Sequence, residues 1–190
     1  MRADVTQFTT ASLPPAGRSF HIATDQGQTP SLEFNHYAGM VGAALQQHGY
    51  VSAPADAKPD MMVTVHYGSR GNHTEIYGDP WGYGPGWGGG FGAWGGWGPG
   101  PWGWHHAAYG PTLDSQTYYS EMLEVQIFDG PAWRNNVRTM IYQGRAMGDA
   151  TVNEISAAVP SLVQALFMHF PGNNGQTERV TVPYARNGSY

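Results

Sequence analysis

The chain contains no cysteine. Disulfides, thiolate metal sites and cysteine nucleophiles are excluded from the outset. Charge is scarce as well: Asp, Glu, Lys and Arg make up 12% of the 190 residues, about half of the ~25% of an average soluble domain. Lysine occurs once, at Lys58, and nine bases against fourteen acids leave a net charge of −5. A nucleic-acid partner, whose phosphates need lysine and arginine, is therefore not expected. No apolar run reaches the ~18 residues that a membrane-spanning helix requires. The start, Met1-Arg2-Ala3-Asp4, lacks the apolar core of a signal peptide. The length fits one domain.

What is present reads as structured blocks around one low-complexity insert. Residues 1–19 hold a short strand at Asp4–Phe8 and then Pro14, Pro15 and Gly17, and read as a lead-in or tether. Phe20, Ile22 and Thr24 alternate with Ser19, His21 and Ala23, a weak strand pattern. Thr29 and Pro30 then read as the cap and first turn of a helix. Phe34, Tyr37, Ala38, Val41, Leu45 and His48 share one face of it, and Gly49 supplies the left-handed stop. Met61–Tyr67 alternates as a strand, with Met61, Val63, Val65 and Tyr67 on one side. A second strand is expected at Thr117–Phe128, with Leu123, Val125 and Ile127 inward and Glu124 and Gln126 outward. A third, Arg138–Met147, pairs with it after the break at Asp129-Gly130-Pro131.

Thr151 and Glu154 have the spacing of a capping box. The helix that follows buries Ile155, Val159, Leu162, Leu166 and Phe170, with Pro160 inside it and Pro171-Gly172 at its end. Val180-Thr181-Val182 in the tail, 173–190, reads as an edge strand. The order of elements predicts an α+β fold: an antiparallel β-sheet backed by two helices, over residues 20–172. Met62, Met122 and Tyr118 on the outward face predict that this face is not fully wet.

The insert spans 78–111. Between Tyr77 and Gly110 lie fourteen glycines and six of the seven tryptophans. No lysine or arginine occurs from Gly71 to Trp133, and no acid between Asp79 and Asp114. The doublets of Trp and Gly match no repeat period. Three readings compete: a flexible surface loop, a self-association or partner surface, and a membrane-interface hairpin. Glycine's backbone entropy favours the first. Six indoles, each able to bury on the order of 200 Å², favour the second, because a solvated loop ordinarily avoids such a patch. Tryptophan's preference for the headgroup level favours the third, although Pro80, Pro85, Pro99 and Pro101 oppose regular strands. The interaction surface expected from this segment is Trp81, Tyr83, Trp87, Phe91, Trp94, Trp97, Trp102, Trp104 and Tyr109.

Candidate chemistry is thin elsewhere. His66 and His73 flank the start of the insert and His105 and His106 its end, but their spacing fits no helical metal motif. His36, His48 and His169 sit on or at the ends of the two helices. Glu121 and Glu124 are three apart in one strand, so they point to opposite faces and form no acid–base pair. Ser31, Ser120 and Ser161 lack a nucleophile-elbow setting, and the glycines lack a phosphate-loop pattern. No catalytic residue, cofactor or metal site is expected.

The blocks "SLEFNHYAGMVGAALQQHGY" (31–50), "KPDMMVTVHYGS" (58–69), "LEVQIFDG" (123–130), "MIYQGRAMG" (140–148) and "ISAAVPSLVQALFMHFPG" (155–172) stand around the Gly/Trp/Tyr-rich stretch. In that order they resemble the domain-of-unknown-function-4136 family of bacterial envelope lipoproteins, over about residues 18–172. The resemblance implies an antiparallel sheet with two helices, and an exported protein that is periplasmic or associated with the outer membrane. It also implies a lipid-bearing cysteine. With none in this sequence, the anchor would lie upstream of Met1 or be absent, and residues 1–19 would be its tether. The resemblance brings no catalytic residues.

Together these readings predict a non-enzymatic cell-envelope structural protein that self-assembles, or docks an envelope partner or the membrane surface, through its insert. The alternative is a monomeric module that binds a glycan or peptidoglycan fragment with the same rings, flanked by Asn72, Asp79 and Asp114.

Overall fold

The computed structural model describes residues 1–10, 13–24, 29–77, 114–150 and 154–183. In chain order the elements are β1 (Arg2–Thr9), β2 (Ser19–Ile22), α1 (Leu32–Gln47), β3 (Val51–Ser52), a single 3-10 turn at Ala55–Ala57, β4 (Met61–Tyr77), β5 (Asp114–Asp129), α2 (Gly130–Arg134), β6 (Met140–Ala150), α3 (Ile155–Phe167) and β7 (Thr177–Thr181). The chain divides into two compact units, 1–73 with 118–190, and 74–117.

The strands form one seven-stranded sheet in the order β3-β2-β4-β5-β6-β1-β7. The expected α+β class and its two backing helices are present. Strands β5, β6, β1 and β7 pair antiparallel in sequence. The other end is parallel: β2 pairs parallel with both β3 and β4, so the sheet is mixed rather than wholly antiparallel. The physical reason is α1. A parallel neighbour needs a crossover longer than a hairpin, and the helix between β2 and β3 supplies it.

The short strand expected at Asp4–Phe8 is present as β1, but it is an interior strand of the sheet rather than part of a lead-in. β1 lies between β6 and β7, with Val5 opposite Ala146 on one side and Glu178 on the other. Ala3, Val5 and Gln7 are buried while Arg2 and Phe8 are exposed, the period of two that one covered face imposes. Met1 N donates to Val182 O at 2.8 Å and Val182 N–H to Met1 O at 3.0 Å, which extends the pairing of β1 with the segment after β7.

One core fills the space between sheet and helices. Val41 and Leu45 from α1 and Leu162 and Leu166 from α3 are wholly buried with Phe20, Met61, Val63, Leu123, Val125, Ile127 and Tyr142 from the strands. The helix ends differ in detail from the sequence pattern. Ser31, not Thr29, caps α1: its Oγ accepts from Phe34 N–H at 2.9 Å. Gly49 closes α1 with φ of 88°, where a side chain would be strained. Glu154 is itself the N-cap of α3, in extended backbone, and makes no capping bond from its side chain. It accepts instead from Ser156 Oγ at 2.7 Å, and Thr151 lies outside the described residues. Phe170 lies beyond α3 and reaches the core from the following turn, edge to face with Tyr142 at 4.9 Å and tilted against His48 at 5.2 Å between ring centroids.

At two glycines a side chain would press directly on its neighbours. At Gly130 a Cβ would run into Pro59 O and the Asp60 backbone. The same close approach lets Gly130 N–H donate to Asp60 O at 2.8 Å. At Gly144 a Cβ would strike the Tyr142 hydroxyl and stand 2.9 Å from Leu166 Cδ1. That hydroxyl is buried and finds no hydrogen-bond partner among the described residues, and burial pushes its pKa far above the usual phenol range. An unsatisfied buried hydroxyl costs about 1–3 kcal/mol. Tyr142→Phe is therefore expected to raise the unfolding free energy by about 1 kcal/mol, and Gly144→Ala to lower it by about 1–3 kcal/mol through overpacking. Urea titration of the full chain measures both.

Candidate functional site

The insert joins neighbours in the sheet. β4 runs out to Tyr77, β5 begins at Asp114, and the 36 residues 78–113 connect them. Trp81, Tyr83, Trp87, Phe91, Trp94, Trp97, Trp102, Trp104 and Tyr109 all lie outside the described residues, as do Asp79, His105 and His106. What the structure describes is the pair of strands that this segment connects.

On the helix side of those strands, Glu121 of β5 is wholly buried in line with Leu123 and Val125. Ser69 Oγ of β4 donates to its Oε2 at 2.6 Å. Its Oε1 has no partner among the described residues. One row away, Tyr67 of β4 meets Tyr37 of α1 edge to face, with ring centroids 4.6 Å apart. Tyr37 donates its hydroxyl to Glu33 Oε1 at 3.0 Å. Burial first, then the bond to Glu33 and the charges of Glu33 and Glu154, push the Tyr37 pKa up to about 12. It stays a neutral donor throughout the physiological range. Period-two alternation already puts Glu121 on the side of Leu123, so the signal for this buried carboxylate was in the sequence.

The opposite face of the sheet is polar. Glu124 accepts from Gln126 Nε2 and Gln143 Nε2, both at 2.7 Å, and from Arg145 Nε and Nη2 at 3.3 and 3.0 Å. The register explains the block: Glu124 stands opposite Arg145, and Gln126 opposite Gln143. Further along, Arg179 grips Asp4 with two bonds of 2.7 and 2.9 Å. Met62 and Phe128 on this face are buried nonetheless, and Trp133 of α2 packs on Phe128 at 5.1 Å. Burial works against the charge on Glu124, but the bonds from Gln126, Gln143 and Arg145 outweigh it and hold the carboxyl below its ordinary range. Glu121 and Glu124 thus act on different faces and share no reacting position.

The remaining candidates have structural partners. Ser31 caps α1, Ser120 Oγ donates to Asp149 Oδ1 at 3.0 Å, and Ser161 Oγ donates to Pro183 O at 2.8 Å. His48 Nε2 donates to Phe167 O at 3.0 Å, and His169 Nδ1 pairs with Glu178 Oε2 at 3.0 Å. Asp129, read as a strand breaker, also caps α2 by accepting from Ala132 N–H at 2.7 Å. No group of three His, Asp or Glu side chains poised for a metal occurs among the described residues, and no helix among them is long and apolar enough to cross a membrane.

With this geometry in place, the family can be stated: the chain belongs to the domain of unknown function 4136 (DUF4136) family, whose model matches residues 2–172. None of the curated proteins matches it. Among solved structures, a PDZ domain protein from Parabacteroides distasonis is similar at a TM-score of 0.51 and 12% identity, over 94% of this chain and 38% of its own. The chain thus spans well under half of that protein, and the likeness is one of fold. A PelC dodecamer from Paraburkholderia phytofirmans aligns at a TM-score of 0.41 and 9% identity, over 86% of this chain and 93% of its own.

The sign of the Glu124 effect sets a pH test. Its pKa is depressed in the folded state from an ordinary 4.5. The stability it contributes is present above that value and is lost as pH falls through the folded pKa. Glu124→Gln should cost about 1–3 kcal/mol at pH 7, and the difference from the parent should shrink towards pH 3. Urea unfolding at the two pH values measures it, and a pH-independent difference would contradict the ionic network.

Proposed function

We propose that the protein is a non-enzymatic structural component of the cell envelope, and that it self-assembles or docks an envelope partner through its Gly/Trp-rich insert. The observation that carries this reading is where the insert sits. Residues 78–113 interrupt two neighbouring strands of a sheet whose helix-covered face already has a continuous core, from Ala3 in β1 to Val180 in β7. The segment that joins those strands carries six tryptophans and no Asp, Glu, Lys or Arg between Asp79 and Asp114. Indole is among the most favourable side chains to cover with a partner surface, and glycine between rings lets backbones approach. The resemblance to envelope lipoproteins supports the location.

Sedimentation velocity of the full chain beside a variant lacking residues 79–111 tests it. The weight-average mass of the full chain should rise with concentration, and the deletion should lower it at every concentration. A mass unchanged by the deletion would contradict assembly through the insert. An unchanged mass with lost affinity for a peptidoglycan fragment would establish the glycan-binding alternative.

A further inference from the structure

One end of the sheet differs in chemistry from the rest of the described surface, and strand pairing fixes which segments meet there. The parallel strands start together, with Ser19 opposite Val51 and Phe20 opposite Met61. Gly130 N–H donates to Asp60 O at 2.8 Å and brings the end of β5 to the start of β4. Antiparallel pairing sets Thr9, the last residue of β1, opposite Tyr142 near the start of β6.

Four of the nine bases gather on these segments: Arg18, Arg134, Arg138 and Lys58, the one lysine. All four are exposed. Arg134 Nη1 donates to Pro59 O at 2.9 Å, next to Lys58, and Arg18 Nη1 donates to Asp60 Oδ1 at 3.3 Å. Arg138 lies over the Trp133 ring, 3.3 Å from its centroid. Three acids share this end. Asp60 accepts from Ser19 N–H and Oγ as well as from Arg18, Asp129 caps α2, and Asp56 is exposed. Lys58, Arg134 and Arg138 have no carboxylate partner among the described residues. The rest of the sequence carries five bases against eleven acids, so this is a positive end on a negative chain.

Apolar side chains collect at the same end. Among the described residues six large apolar side chains are exposed, and four of them, Phe8, Val51, Val137 and Met140, belong here. Single exposed apolar residues are ordinary, but a group of them rimmed by polar residues marks a contact surface.

We propose that this end of the sheet docks on an anionic phospholipid membrane. Charge complementarity selects the headgroups, because bases without a carboxylate partner meet a surface of negative potential. The apolar neighbours select lipid over a soluble anion, since phosphate alone gives Val137 and Met140 nothing to enter. Trp133, with a guanidinium on its ring, suits the headgroup level. Arginine and lysine keep their charge there while their stems lie along apolar surface. None of these residues belongs to the insert, and the docking stands whether or not the insert assembles.

Co-sedimentation of the full chain with lipid vesicles tests it. Binding to phosphatidylglycerol vesicles should exceed binding to phosphatidylcholine vesicles and fall as NaCl is raised. Lys58→Gln with Arg138→Gln should weaken it by roughly 30-fold, and Val137→Ser by about 5-fold. Arg2→Gln with Arg179→Gln removes the same charge elsewhere and should bind as the parent does. All five side chains are exposed, so far-ultraviolet circular dichroism of the variants should match the parent. Inorganic phosphate should displace no more protein than NaCl of equal ionic strength. Equal binding to the two lipids, equal loss in the two double variants, or displacement by phosphate alone overturns the proposal.

Discussion

Covering one face of a seven-stranded sheet is the constraint on which the rest of this molecule depends. The sheet presents Ala3, Val5, Phe20, Met61, Val63, Leu123, Val125, Ile127 and Tyr142 to a single side, and among the described residues α1 and α3 cover them. Truncating a wholly buried leucine such as Leu45 or Leu166 would forfeit about 2–5 kcal/mol, a large share of the stability of a domain this size. The constraint also fixes connectivity. α1 must lie on the sheet, so β2 and β4 run parallel. The C-terminal end must close the edge, so β1 comes to lie between β6 and β7.

The same constraint explains where polar groups are tolerated. On the outer face, Glu124, Gln126, Gln143 and Arg145 satisfy one another across two strands. On the inner face, the carboxylate of Glu121 has one donor in Ser69 and one oxygen without a partner among the described residues. A half-satisfied polar group in a core is costly. In this chain it lies on β5, the strand into which the insert returns. The helices show the complementary economy: Val41, Leu45, Leu162 and Leu166 on their inner sides are wholly buried, and Gly39, Ala43, Gln47 and Gln164 on their outer sides are exposed.

Much of the fold was legible in the sequence because its elements carry strong periods. The alternation at Met61–Tyr67 and Leu123–Ile127 and the stripe through Tyr37, Val41 and Leu45 translate directly into β4, β5 and α1. Less legible were features that depend on distant partners. The strand at Asp4–Phe8 reads as part of a lead-in over residues 1–19 because nothing local says that Val5 will stand opposite Ala146. The parallel pairing of β2 is invisible in four residues, Ser19–Ile22. Ser31 rather than Thr29 caps α1, a shift of two residues that the flanking Pro30 does not decide by itself. Alternation did mark Glu121 as inward, but a carboxylate among apolar neighbours is read against burial until its Ser69 partner is seen. Of the candidate site, composition marked the insert and its rings, while composition alone holds no information on what covers them.

Coverage of those rings is the central claim, and acrylamide quenching of tryptophan emission tests it most directly, since six of the seven tryptophans report from the insert. The account predicts emission that is readily quenched in dilute solution and increasingly protected, with a shift to shorter wavelength, as the protein assembles or meets its partner. Indoles equally open to quencher in every state, at every concentration and in envelope preparations, would contradict it.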